Sequence, residues 1–110
     1  MKLLAQQGTE PLELCGITRT LEVIGAKWTV LIVRDLLERP RRFSELEHSL
    51  TGISPRTLAQ RLRELEHCAV LERDCSSGEA HPLYRLTDKG RSLSSILERM
   101  REWGEAEVQV

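Results

Sequence analysis

Gly52-Ile53-Ser54-Pro55-Arg56-Thr57-Leu58-Ala59-Gln60-Arg61-Leu62-Arg63-Glu64-Leu65-Glu66 reads as a helix with one apolar side and one basic, polar side. Ser54 suits the N-cap, because a serine hydroxyl accepts a bond from a backbone N–H that has no partner inside the helix. Pro55 fits the first helical position, where its missing N–H costs nothing. Leu58, Leu62 and Leu65 recur at helical spacing and form the stripe to be buried. Arg56, Gln60 and Arg63 fall opposite that stripe, with Thr57 and Arg61 on its flanks. Braced by a second helix, such a rod has the shape and chemistry to lie in a DNA major groove.

Working outward toward the N-terminus, Thr51-Gly52-Ile53 is a tight turn. Before it a helix is predicted over about Ser44 to Leu50, with Ser44 as cap and Glu47 completing a capping box. Phe43, Leu46 and Leu50 are expected to point inward. A short helix, a glycine turn and a capped helix make a helix-turn-helix. Arg41-Arg42-Phe43 reads as a short extended segment, and Arg39-Pro40 breaks the helix before it, Lys27 to Glu38. Its run Val30-Leu31-Ile32-Val33 is apolar nearly all round, as expected of a central helix; Trp28, Asp35 and Leu36 share its spacing. Ile17, Leu21 and Ile24 mark an earlier helix that Gly25 ends as a C-terminal glycine.

Beyond Glu66 the period changes. Val70 to Arg73 and Leu83 to Leu86 are short strands around the polar turn cluster 74–82, a β-hairpin. Thr87 is placed to cap a final helix whose stripe is Leu93, Ile96, Leu97, Met100 and Trp103. A helix so late in the chain has little domain left to cover. Burial against a second subunit, together with Leu12, Leu14 and Ile17, accounts for the stripe better. The boundaries are then an N-terminal arm over 1–14, one domain with its dimerisation helices over 15–103, and a tail over 104–110.

At 110 residues the chain has room for one modest domain. Phe43, Tyr84, Trp28 and Trp103 are its four aromatics, which supports an aliphatic core and argues against stacking on single-stranded nucleic acid. No apolar run approaches the roughly 20 residues that span a bilayer, and Met1-Lys2-Leu3-Leu4-Ala5 is too short for a secretory signal, so no membrane partner and a cytoplasmic site are expected. Net charge is −1, but the segment from Arg39 to Arg63 is +4 and the remainder −5. A local basic face on a near-neutral molecule suits selective binding of double-stranded DNA, although a solvated helix surface gives the same count. Three cysteines without CxxC spacing favour a reducing compartment. His67 and Cys68 are adjacent and His48 and His81 lack ligand-spaced partners, so no metal and no cofactor are expected. No P-loop, nucleophile elbow or HExxH occurs, and no catalytic residue is assigned.

Arg56, Thr57, Gln60 and Arg63 are the expected groove contacts, because arginine pairs with guanine O6/N7 and glutamine with adenine N6/N7. Arg61 lies nearer the core and is assigned to phosphate or to Glu64 and Glu66; Arg41 and Arg42 are assigned to phosphate. Ser54 sits where a helix N-terminus favours an anion, and Ser44 and Pro55 belong to the same DNA-facing surface. Arg73 and His81 are the hairpin's candidates, opposed by the acids Asp74 and Glu79.

Cys15 ahead of the first helix, Ile24-Gly25-Ala26-Lys27-Trp28, Arg42-Phe43-Ser44-Glu45-Leu46, Gly52-Ile53-Ser54 through Leu65-Glu66, and Tyr84-Arg85-Leu86-Thr87-Asp88-Lys89-Gly90 occur in an order that resembles the HxlR-type winged helix-turn-helix regulators, a branch near the MarR type. The resemblance spans roughly Leu14 to Trp103. It implies a mainly α fold with a small β-hairpin wing, and a homodimer through N- and C-terminal helices on an inverted-repeat operator. It also implies that the helix after Ser54 reads the major groove, that the 74–82 wing tracks a minor groove, and that Cys15 is a candidate redox sensor; a small-molecule effector is the alternative signal. Three positions depart from the family pattern: Gly16 replaces a proline, Ala26 a second glycine, and Ala69 the glycine that ends the recognition helix. A left-handed alanine at 69 costs about 1 kcal/mol. The rival expectation is a winged-helix protein-interaction module with no operator.

Overall fold

The computed structural model describes residues 11–78 and 80–110; of the expected arm, residues 1–10 lie outside them, as does Glu79 of the wing. A 3-10 turn over Leu12–Leu14 leads into α1 (Gly16–Ile24), followed by α2 (Lys27–Glu38), β1 (Arg41–Arg42), α3 (Phe43–Ser49) and α4 (Pro55–His67). Strands β2 (Leu71–Asp74) and β3 (Leu83–Leu86) precede two last helices, α5 (Asp88–Arg91) and α6 (Ser94–Glu107). The fold is the expected one, mainly helical with a small antiparallel sheet.

Helix α2 runs through the middle. Ile32 and Val33 are fully buried, and around them pack Leu46 and Leu50 of α3, the Leu58–Leu62–Leu65 stripe of α4, and Leu71, Tyr84 and Leu86 of the sheet. Asp35 is also buried in this helix, where the Ser49 hydroxyl donates to its Oδ2 at 2.7 Å and Arg34 to its Oδ1 at 3.0 Å. A buried carboxylate needs such partners, and the Ser49 bond ties the end of α3 to α2. The sheet has the order β1-β3-β2, with Arg41 opposite Tyr84, Arg42 opposite Leu83, and Leu71 opposite Leu86.

Three local expectations change. Helix α3 begins one residue early: Arg42, extended by its pairing with β3, is the N-cap, and Glu45 Oε1 accepts its N–H at 2.8 Å. Ser44 is therefore an exposed first-turn residue and not the cap. Gly25 ends α1 with φ −71°, so handedness is not its reason; a Cβ there would lie 2.3 Å from the Leu21 carbonyl oxygen. The final helix is two helices. Thr87 caps α5 by accepting the Gly90 N–H at 3.1 Å, and a Cβ on Gly90 would lie 2.1 Å from the Val70 carbonyl oxygen. The helix then breaks at Ser92–Leu93, where the Ser92 hydroxyl donates to the Lys89 carbonyl (2.5 Å) and competes with helix continuation. Helix α6 resumes at Ser94 and passes Trp103 to end at Glu107.

Candidate nucleic-acid interface

Helix α4 is held at both ends. At its start the Ser54 hydroxyl accepts the Thr57 N–H at 3.1 Å and donates to Thr57 Oγ1 at 2.9 Å, with Pro55 in the first position. The preceding turn needs Gly52, whose φ is +97°. At its end Ala69 adopts the left-handed conformation (φ 60°). Its N–H reaches the Glu66 carbonyl at 3.0 Å, and the Val70 N–H reaches Leu65 at 2.9 Å. This is a Schellman motif built on alanine where glycine is usual. The carbonyls left over are met from the far side of the wing: Thr87 Oγ1 donates to Ala69 (2.6 Å) and Val70 (3.1 Å), and Lys89 Nζ to Cys68 (2.7 Å). Thr87 and Lys89 were not anticipated in this capping role; their signal was the Thr-Asp-Lys-Gly run itself.

Between these ends the side chains divide as the spacing predicts. Leu58, Leu62 and Leu65 are buried, while Arg56, Gln60 and Arg63 are exposed on the opposite side. Among the described residues neither Arg56 nor Arg63 has an ion-pair partner. Arg61 is turned to Glu64 (2.6 Å), and the other oxygen of Glu64 accepts from Gln60 at 3.4 Å. One carboxylate thus orients two polar side chains of the outer face. Thr57 is half-buried on the flank.

The other expected contacts are less free. Arg41 is tucked in, its side chain 11 % exposed and paired with Glu38 at 2.7 Å, so the guanidinium expected at phosphate is already engaged within the chain. Arg42 spends its guanidinium on the carbonyl of His81. In the wing, Arg73 is exposed and bonds Glu66 of α4 at 3.2 Å, which raises its pKa and keeps it charged. The His81 ring is exposed. Asp74 is held below the usual carboxylate range, first by the Ser76 N–H (2.9 Å) and also by Arg85, so its negative charge persists at the wing root. Glu45 is lowered in the same way by the Arg42 N–H and by Arg39.

A second surface lies away from α4. Leu12, Leu14, Ile17 and Leu21 are exposed on the 3-10 turn and α1, and Ile96, Met100 and Trp103 on α6. A groove of about 290 Å³ lined by Leu21, Ile24, Val30, Ile96 and Met100 joins the two patches into one apolar face. Leu93 and Leu97, expected in the same stripe, instead lean on the core. Cys15 stands half-buried at the N-cap of α1, next to Leu14. Among the described residues no group of His, Cys, Asp or Glu is arranged to hold a metal ion, and no helix is long and apolar enough to cross a membrane.

Residues 23–110 match the HxlR-like helix-turn-helix family. The chain belongs to this family. Membership makes it a transcriptional regulator of the helix-turn-helix class. It is 38 % identical to the HTH-type transcriptional regulator YvaP of Bacillus subtilis over 83 % of this chain and 86 % of that one. Among solved structures it resembles the reduced form of the redox regulator HypR, with TM-score 0.76, 34 % identity, and coverage of 82 % of this chain and 90 % of that chain. It likewise resembles quinone-bound YodB from B. subtilis, with TM-score 0.72, 31 % identity, and coverage of 82 % and 96 %. The match to the HxlR-like family takes in both α4 and α6, so the helix with the basic outer face and the helix with the uncovered apolar stripe fall within one family unit.

Proposed function

We propose that this HxlR-like protein is a homodimer that binds an inverted-repeat operator, with α4 of each subunit in successive major grooves and the wing in the flanking minor groove. The observation that carries the reading is the pairing of two uncovered surfaces: a basic helix face bearing Arg56, Gln60 and Arg63, and a separate apolar face on α1 and α6. Arg56, Thr57, Gln60 and Arg63 read base edges. Arg61, Ser44, Ser54 and Pro55 lie toward phosphate, and Arg73 and His81 serve the wing. A second copy covers Leu12, Leu14, Ile17, Ile96, Met100 and Trp103, which sets the two α4 helices about 34 Å apart, one turn of B-DNA. Acting on DNA, the dimer works in the cytoplasm.

Cys15 is the proposed point of control. HypR is named a redox regulator and YodB has been seen with a quinone bound, and Cys15 stands at a helix N-terminus beside the apolar face proposed for the second subunit. Oxidation or alkylation of its thiol there would favour one pose of the two DNA-binding heads over another, and only such a difference between states shifts affinity.

Selection of duplexes from a random-sequence library tests the reading. The expected product is a palindrome whose affinity falls steeply with salt, in proportion to the phosphates neutralised. Equal binding to every duplex, or none at low salt, would instead support a protein-interaction module.

A further inference from the structure

Three parts of the domain meet at Arg42. Its backbone lies in β1 and pairs with Leu83 of β3, its N–H is held by Glu45 at the start of α3 (2.8 Å), and its Nη1 donates to the carbonyl of His81. His81 stands on the returning limb of the wing, just before Pro82, which has no N–H to contribute. The outgoing limb is fastened separately, by Asp74 taking the Ser76 N–H (2.9 Å) and pairing with Arg85. Within the loop the described backbone bonds are short-range turns, Gly78 to Cys75 (2.9 Å) and His81 to Gly78 (3.3 Å). Among the described residues, then, the Arg42 guanidinium is what bonds the returning limb of the loop to the body of the domain before β3 begins.

We infer that Arg42 is a wing-positioning residue: by clamping the His81 carbonyl it fixes the wing relative to α4, and it does not serve as a phosphate contact. This rests on the DNA-binding reading above. A guanidinium–carbonyl bond is charge-assisted, and the planar fork of arginine holds its direction as a flexible ammonium does not. Because the same residue caps α3, the helix-turn-helix and the wing share one anchor. The spacing between major-groove and minor-groove contacts is set there.

Hydrogen exchange of the free protein and footprinting on the selected duplex test the clamp together. In Arg42→Ala the amides of His81 and Leu83 exchange roughly tenfold faster while those of α2 are unchanged. On DNA, protection of guanine N7 by α4 survives at saturating protein, whereas hydroxyl-radical protection of the flanking minor groove is lost. Arg42→Lys, which keeps the charge but not the planar fork, restores part of both signals. If Arg42→Ala leaves wing exchange unchanged, the clamp is wrong. If it keeps the full footprint and lowers the slope of log affinity against log salt by about 1, Arg42 is a phosphate contact and the inference falls. Should Arg42→Ala expose the α2 amides by unfolding, Arg42→Lys carries the same comparison. If no duplex is bound at all, the DNA-binding reading fails, and the exchange rates still decide whether Arg42 holds the wing.

Discussion

Helices α4 and α6 are both amphipathic, yet α4 buries Leu58, Leu62 and Leu65 completely and α6 buries no residue at all. The apolar side of α4 finds α2 and the sheet within its own chain, which frees its other side for a ligand. On α6 the arrangement is reversed: its charged residues pair among themselves, Arg101 with Glu98 and Glu105, and its apolar residues have no cover. One helix is covered within its own chain, and the other leaves an apolar stripe that the proposed second subunit would cover. Mutations in the two stripes therefore ought to differ in kind.

The largest effect is expected at Leu62. Leu62→Ala removes a buried side chain that the close-packed core cannot replace and costs about 2–5 kcal/mol of folding stability. The loss is intrinsic to the subunit, so urea unfolding midpoints should fall equally at low and high protein concentration. Trp103→Ala is the opposite test. It removes an exposed aromatic from the proposed interface and weakens self-association by about 2 kcal/mol or more, as interface aromatics do. Sedimentation should show dimer giving way to monomer while monomer stability barely moves. A monodisperse dimer of undiminished affinity would show that α6 is covered in some other way.

On the free side of α4, Arg56→Ala is expected to cost about 1–3 kcal/mol of specific DNA binding and to relax preference at one base position. Thermal unfolding should be untouched, since Arg56 is exposed and ion-paired to nothing among the described residues. Uniform weakening on all duplexes would make it a phosphate contact. Cys15→Ser should leave binding by the reduced protein intact and abolish any oxidant response in a mobility-shift assay. A response that persists would move the sensor elsewhere.

Most of α4 was legible because its signals are local: Ser54-Pro55 at the start and leucines at helical spacing within one face. Helix α2 and the two hairpin strands were readable for the same reason, from apolar runs and turn residues. Reading failed where a partner distant in sequence decides. Ser44 looked like the better cap of α3, but the pairing of β1 with β3 extends Arg42 and moves the cap there. Arg42 looked like a free cation because His81 is far along the chain. The break between α5 and α6 falls where the Ser92 hydroxyl donates to the Lys89 carbonyl, and Gly90 is required by the nearby Val70 carbonyl; no periodicity records either. Leu93 and Leu97 shared the spacing of Met100 and Trp103, yet they pack against the core while Met100 and Trp103 stay exposed.

The smallest predicted effect concerns the junction where the end of α4 meets the start of α5. Ala69 is left-handed at the end of α4, its carbonyl accepts the Thr87 hydroxyl at 2.6 Å, and Val70 beside it carries the contact with Gly90. The joint requires this conformation, since the bonds from Ala69 to Glu66 and from Val70 to Leu65 close only when the chain reverses there. L-residues pay about 1–2 kcal/mol for left-handed backbone, and glycine gives back part of that gain through its larger unfolded-state entropy. Ala69→Gly should therefore raise stability by about 0.5–1 kcal/mol. Denaturant midpoints measured at protein concentrations well above the dissociation constant of the proposed dimer would show it, with m-value, DNA affinity and self-association unchanged. A fall in stability would mean that the Thr87 and Val70 contacts hold the alanine without strain, and that the joint draws its geometry from the α5 side.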